Sequence, residues 1–245
     1  MTVEAAGVEL AVDDRGEGAP AVVLVHGIAS DRSVWTELAV EARRIAYDRR
    51  AYGDSGAPEP YGGTTVGEQA DDLAQLIRAM DAAPAVLCGH DFGAEICLDV
   101  LVRFPELVRG AVLIEPPMLW LSAEGSEALS KLRAEIEQGD AVEAYLGEDA
   151  SLLGPERVEA AHRALRGFAA DLGAIASLSV GRRELRAVEQ RAIVIAGADP
   201  LYGEVASKLA GLLPRGELLR LDTGHFPQIE QPDAVAAAIT RIASA

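Results

Sequence analysis

The chain has 245 residues, 49% of them apolar, and 39 acidic against 22 basic residues give it a formal net charge of −17. That charge argues against nucleic acid or an anionic membrane as a partner, and no apolar run approaches the roughly 20 residues that span a bilayer. A mean hydropathy of +0.13 supports a buried core, and the length suits one α/β domain with a modest insertion.

Met1–Gly7 has neither a basic n-region nor an apolar h-region, so a cytoplasmic location is expected. Val8–Val12 reads as a strand. Ala21–Val25 is a continuous apolar run, as in a strand buried on both faces. Ser33–Ala42 reads as a helix and Arg44–Tyr47 as the next strand. Asp48–Gly63 is rich in Gly, Pro and Asp and reads as a loop, with Asp54 and Ser55 holding its turns. Thr65–Met80 follows as a helix, opened by a capping box of Thr65 and Glu68. Ala85–Cys88 is a strand, Phe92–Phe104 a helix and Val108–Ile114 a strand. From Pro116 to about Val188 the pattern turns helical throughout, with breaks at Gly125, Gly139, Gly147 to Pro155, and Gly173. A structureless loop of that length is improbable, so residues 117–187 are expected to form a helical cap, and residues 1–116 and 188–245 a core. The last third alternates again: strand Ala192–Ala196, helix Val205–Leu213, strand Leu218–Leu221, helix Pro232–Ala243. The alternation predicts a mostly parallel sheet flanked by helices. Cys88 and Cys97 fall in apolar surroundings and read as buried free thiols.

Three positions just past the carboxyl ends of strands, where open α/β sheets gather their sites, fit a nucleophile, an acid and a base in that order. Asp91 lies in Gly89-His90-Asp91-Phe92-Gly93, a strand-to-helix elbow of the G-x-nucleophile-x-G type. Asp199 follows the strand ending at Ala196, and His225 follows the one ending at Leu221. Each has a plainer reading. Asp91 suits a helix N-cap, Asp199 before Pro200 suits a turn, and His225 suits a surface loop. Glu115, at the end of Ala111–Glu115, is a second candidate for the acid. Of the remaining histidines, His26 reads as shaping the loop after its strand, His90 as packing inside the elbow and His162 as an exposed cap residue. A carboxylate at the elbow changes the chemistry. An acyl group transferred to Asp91 gives an anhydride, whereas an alkyl group gives an ordinary ester, so Asp91 points to displacement at saturated carbon.

The ordered motifs His26-Gly27, Tyr52-Gly-Asp-Ser-Gly56, the elbow, Gly197-Ala-Asp199 and Gly224-His225 resemble those of the α/β-hydrolase fold over nearly the whole chain. With an aspartate at the elbow, the chain is similar to the epoxide hydrolase and haloalkane dehalogenase branch. That resemblance implies attack by Asp91, base catalysis by His225 oriented by Asp199 or Glu115, and an oxyanion hole from the backbone N–H groups of Ile28 and Phe92. It implies no cofactor and no metal. The small-molecule substrate would lie in a pocket formed with His26, Trp120 and Tyr145, and a homodimer is possible. The chain departs from dehalogenases at both halide-binding positions, with Phe92 where they usually place tryptophan and Ile28 where they often place asparagine. Epoxide hydrolases typically continue His-Gly with Phe-Pro, against Ile28-Ala29 here, but use cap tyrosines as proton donors. Tyr145 is the tyrosine of the inserted segment, with Tyr202 a weaker substitute. Epoxide hydrolysis is therefore the leading expectation. Haloalkane or haloacid dehalogenation is the alternative, and a non-hydrolytic lyase, cyclase, isomerase or silent binding protein is the reading from another class.

Overall fold

Apolar, β-branched tetrapeptides such as Val22-Val-Leu-Val25 cannot present a polar face to water, so they pair into the middle of a sheet and are covered on both sides. In the computed structural model, which describes residues 1–244, eight strands form the sheet: β1 Thr2–Ala5, β2 Val8–Arg15, β3 Val22–Val25, β4 Arg44–Tyr47, β5 Ala85–His90, β6 Val108–Ile114, β7 Arg191–Ala196 and β8 Gly216–Arg220. Their order is β1-β2-β4-β3-β5-β6-β7-β8. β1 and β2 pair antiparallel at one edge, and every pairing from β4 to β8 is parallel. Every residue of β3 and β5 is buried.

The helices flanking the sheet are α1 Val66–Ala79, α2 Phe92–Arg103, α8 Pro200–Leu212, the single turn α9 Pro227–Glu230 and α10 Pro232–Ala243. The capping box is formed: the Thr65 hydroxyl accepts from the Glu68 N–H and the Glu68 carboxylate from the Thr65 N–H. Between β6 and β7 the described residues form no strand. They fold as α3 Gly125–Gln138, α4 Ala141–Leu146, α5 Asp149–Arg163, α6 Leu165–Ala174 and α7 Arg182–Leu185. Gly139 and Gly147 end α3 and α4, and Gly154 kinks α5. Gly173 lies inside α6 and breaks nothing.

One expected helix does not form. Ser33–Ala42 holds only a 3₁₀ turn, Arg32–Trp35, continued by a Leu38 N–H to Trp35 carbonyl bond. Trp35 and Leu38 are both buried. Their spacing of three is the repeat of a 3₁₀ turn, so both side chains reach the core without an α-helix. The edge strand β1 and the first turn of α8 lie outside the segments expected to be regular. Cys88 and Cys97 are buried free thiols. No described helix is long and apolar enough to cross a membrane.

Candidate active site

The β5–α2 turn brings Asp91 to the carboxyl edge of the sheet with φ 52° and ψ −125°. A non-glycine residue held in this region is strained, and such strain persists only where the surroundings enforce it. Here they do. The Asp91 N–H donates to the Ile114 carbonyl at 2.8 Å and the Ala94 N–H donates to the Asp91 carbonyl at 2.8 Å. A Cβ on Gly93 would lie 2.3 Å from the Val25 carbonyl oxygen, so the turn can close on β3 only with glycine there. The N-cap reading of Asp91 fails in its usual sense, because its side chain accepts no N–H of α2.

The carboxylate points instead at the loop after β3. Asp91 Oδ2 accepts from the Ile28 N–H at 2.8 Å and from the Tyr145 hydroxyl at 2.9 Å. Asp91 Oδ1 is buried without a hydrogen-bond partner. Close approach requires Gly27, where a Cβ would stand 2.7 Å from Asp91 Cβ. Phe92 opens α2, so its N–H has no partner within the helix and adds to the positive N-terminal end. Burial, and next the charge of Asp91, push the Tyr145 hydroxyl well above its ordinary value, so it stays a neutral donor. Burial and Asp91 also push the Glu95 carboxyl, one turn along α2, well up. Glu95 is buried in the core, and no sequence signal separated it from an ordinary helix residue.

His225 meets Glu115, not Asp199. His225 Nδ1 lies 3.3 Å from Glu115 Oε2, and Glu115 Oε1 accepts from the Gly197 N–H at 2.5 Å. Asp199 corrects the first-choice expectation for the acid. Its carboxylate caps α8, accepting from the Leu201 and Tyr202 N–H groups at 2.7 and 3.3 Å, and it is exposed. Asp followed by Pro at the first helical position is a helix-start signal, and that signal is what the sequence carries there. Burial alone lowers the affinity of His225 for a proton, but the Glu115 hydrogen bond and the charges of Asp91, Glu115 and Asp149 outweigh it and raise its pKa. The His90 Nε2–H donates to the His225 carbonyl at 2.7 Å and so holds the histidine loop against the elbow.

Other expected pocket residues are placed differently. His26 is fully buried, with Nδ1 2.8 Å from the Gly27 carbonyl and Nε2 accepting the Arg49 N–H at 2.9 Å. It shapes the loop, as expected, and does not line the pocket. Trp120 is 45% exposed and borders a neighbouring cavity rather than the one at His225. The cavity at His225 has a volume of about 420 Å³ and is bordered by Glu115, Tyr145, Asp199 and Tyr202 among others. A larger polar cleft of about 640 Å³, near Arg32 and Asp54, contains none of these groups. Asp54 and Ser55 hold their loop: Arg32 pairs with Asp54 at 2.8 Å and the Ser55 hydroxyl donates to the Asp48 carbonyl at 2.6 Å.

One buried feature had no signal in the sequence. Asp171 on α6 accepts from Arg49, the Tyr52 hydroxyl and the Gln69 amide at 2.7, 2.8 and 2.7 Å. Arg49 also donates to the Gly27 carbonyl at 2.8 Å and lies over the Phe92 ring at 5.3 Å. The inserted helices are thus tied through one ion pair to the loop that carries Ile28. Among the described residues, no cluster of His, Cys, Asp and Glu has metal-binding geometry.

Comparison with known proteins places this geometry. Residues 22–238 match the model of the Alpha/beta hydrolase family. The 2-(acetamidomethylene)succinate hydrolase of Mesorhizobium japonicum is 34% identical over 59% of this chain, and the chain spans 53% of that relative's length. A thermophilic esterase from Thermogutta terrifontis superposes with a TM-score of 0.79 at 26% identity, covering 98% of this chain and 97% of its own. The enol-lactonase from Burkholderia xenovorans LB400 superposes with a TM-score of 0.77 at 24% identity over the whole of both chains. That last likeness shows the shared fold.

Proposed function

This chain belongs to the alpha/beta hydrolase family, and from that premise we propose that it is a hydrolase whose nucleophile is the Asp91 carboxylate, acting at saturated carbon with an epoxide as substrate. The observation that carries the reading is the seating of Asp91 Oδ2 on the Ile28 N–H. In an acyl-transfer enzyme the oxyanion donors must face the substrate's carbonyl oxygen. Here the side chain's own oxygen takes that place. The donors are therefore set for an oxyanion formed on Asp91 itself, which arises when water attacks an Asp91 ester.

Two steps follow. Asp91 Oδ1 attacks an epoxide carbon, and the C–O bond breaks with its electron pair going to oxygen. Tyr145 gives that oxygen its proton, leaving a hydroxyalkyl ester and a tyrosinate. His225, held through Nδ1 by Glu115, then takes a proton from water as the hydroxide adds to Asp91 Cγ. The Ile28 and Phe92 N–H groups stabilise the charge on Oδ2. Collapse expels the diol oxygen, which takes the proton from His225. The Asp91 carboxyl formed returns its proton to Tyr145, 2.9 Å away.

The names of the relatives suggest ester, lactone and amide substrates. A carbonyl substrate would have to displace Asp91 Oδ2 from Ile28 and would form an anhydride. For an anionic substrate such as a succinate, the cavity is unsuited, since Glu115, Glu148, Asp149 and Asp199 border it and its described lining includes no Lys or Arg. For a halide leaving group, Phe92 supplies no side-chain donor, and Trp120 borders another cavity. A lyase, isomerase or binding protein would form no Asp91 ester.

A single turnover in ¹⁸O-water with enzyme in excess tests the reading. Asp91 should gain the label, and Asp91→Asn should bind substrate yet lose at least about 10³-fold in kcat. Label found only in the product would remove the covalent mechanism.

A further inference from the structure

Two cavities of nearly equal size lie side by side in this molecule. The first, about 420 Å³, holds His225, Tyr145 and Glu115. The second, about 410 Å³, is bordered by Pro117, Trp120, Ile175, Leu178 and Val180. Leu119 and Leu129 border both. The chambers differ in chemistry. The first is ringed by carboxylates and phenols, whereas no described residue bordering the second is ionisable. Leu119 and Leu129 are half-buried, and partly exposed side chains change rotamer on a picosecond-to-nanosecond scale. The large indole of Trp120 is 45% exposed at the second chamber, with the Arg182 guanidinium 6.0 Å from its ring centroid.

We propose that the second chamber receives an unbranched alkyl tail of the substrate, running from the cavity at Tyr145 and His225 past Leu119 and Leu129 to the Trp120 indole. The occupant follows from the shared Leu119 and Leu129 border with the cavity at His225 and from a described lining that contains no ionisable residue. The inference rests on the epoxide reading for the identity of the reacting head, and on the paired cavities for the tail. The substrate class is then a long-chain terminal epoxide, with the oxirane among the polar groups and the chain among the apolar ones. The tail adds binding without chemistry, and each methylene buried is worth about fourfold in affinity.

Turnover of 1,2-epoxydecane is compared with that of 1,2-epoxybutane, and binding of the corresponding diols is followed by tryptophan fluorescence. Trp35 is buried, so a change that disappears in Trp120→Phe belongs to Trp120. The longer epoxide should have a kcat/KM at least about tenfold higher, and 1,2-decanediol should shift the Trp120 emission to the blue where 1,2-butanediol does not. Ser126 and Ser179 border only the second chamber and are exposed, so Ser126→Trp and Ser179→Trp fill it with little risk to folding, which circular dichroism verifies. In both variants the ratio of long-chain to short-chain kcat/KM should fall about tenfold. A decanediol response at Trp120 without turnover of either epoxide supports the tail chamber and removes the epoxide chemistry. Epoxide turnover with no chain-length dependence, no Trp120 response and no effect of either tryptophan overturns the chamber and leaves the chemistry standing.

Discussion

Asp91 keeps one carboxylate oxygen on two donors and leaves the other without a partner, an asymmetry that assigns the oxygens different work. In the proposed mechanism Tyr145 is the donor that changes partner, so Tyr145→Phe should lower kcat by about 10²-fold or more, with a smaller change in KM; steady-state kinetics on an epoxide checks this. The pH dependence follows from His225. As the proposed base it must be neutral to take a proton from water, and its raised pKa would place the acidic limb of the kcat profile above 6.5. Glu115→Gln keeps an acceptor for Nδ1 but removes the charge that favours the imidazolium, so the limb should move to lower pH while kcat falls. Protonated His225 also stabilises the fold, a contribution full at acidic pH and lost as pH rises through the raised value. The placement of Asp91 and His225 at the carboxyl edge of the sheet was legible because glycines and strand ends frame them. The choice between Asp199 and Glu115 was not. Both follow strands, and only the folded register shows that Glu115 faces His225 while the helix beginning at Pro200 claims Asp199.

At the scale of elements, α6 and the segment after β4 meet through a pair removed from water, with side-chain exposures of 1% for Arg49 and 0% for Asp171, and Arg49 in turn donates to the Gly27 carbonyl in the loop after β3. A buried charge stripped of its partner is costly, so Asp171→Ala should destabilise the protein by about 3–5 kcal/mol. Urea denaturation measures this, and the double variant Arg49→Met/Asp171→Leu should recover much of the loss, because it leaves no orphaned charge. The contact joins residues 122 apart in the chain, and neither Arg49 nor Asp171 stands out from the surface residues of its segment. Sequence periodicity carries β2 to β8 and α1, since each satisfies its own pattern, but not the edge strand β1. It misjudges Ser33–Ala42, where spacing by three serves a 3₁₀ turn as well as a helix. Contacts between distant segments have no local pattern at all, and the Arg49–Asp171 pair that ties α6 to the segment after β4 is one of these.

For the molecule as a whole, charge acts on what reaches the site. The chain carries −17, and Glu148, Asp149 and Asp199 border the catalytic cavity beside Glu115. A cleft lined by one sign of charge concentrates ligands of the opposite sign and repels those of its own. Among epoxides of similar size, one bearing a quaternary ammonium should therefore show the highest kcat/KM, a neutral one less, and one bearing a carboxylate the least. The effect is long-ranged and screened by salt, with a Debye length of about 10 Å at 0.1 M and about 3 Å at 1 M. Raising the ionic strength over that range should bring the three values together, chiefly by slowing the cation and releasing the anion. Asp149→Asn and Glu148→Gln, made together, should compress the same ordering at low salt while leaving the neutral epoxide least affected. If the ordering survives 1 M salt unchanged, a short-range contact sets it and the field of the whole protein does not.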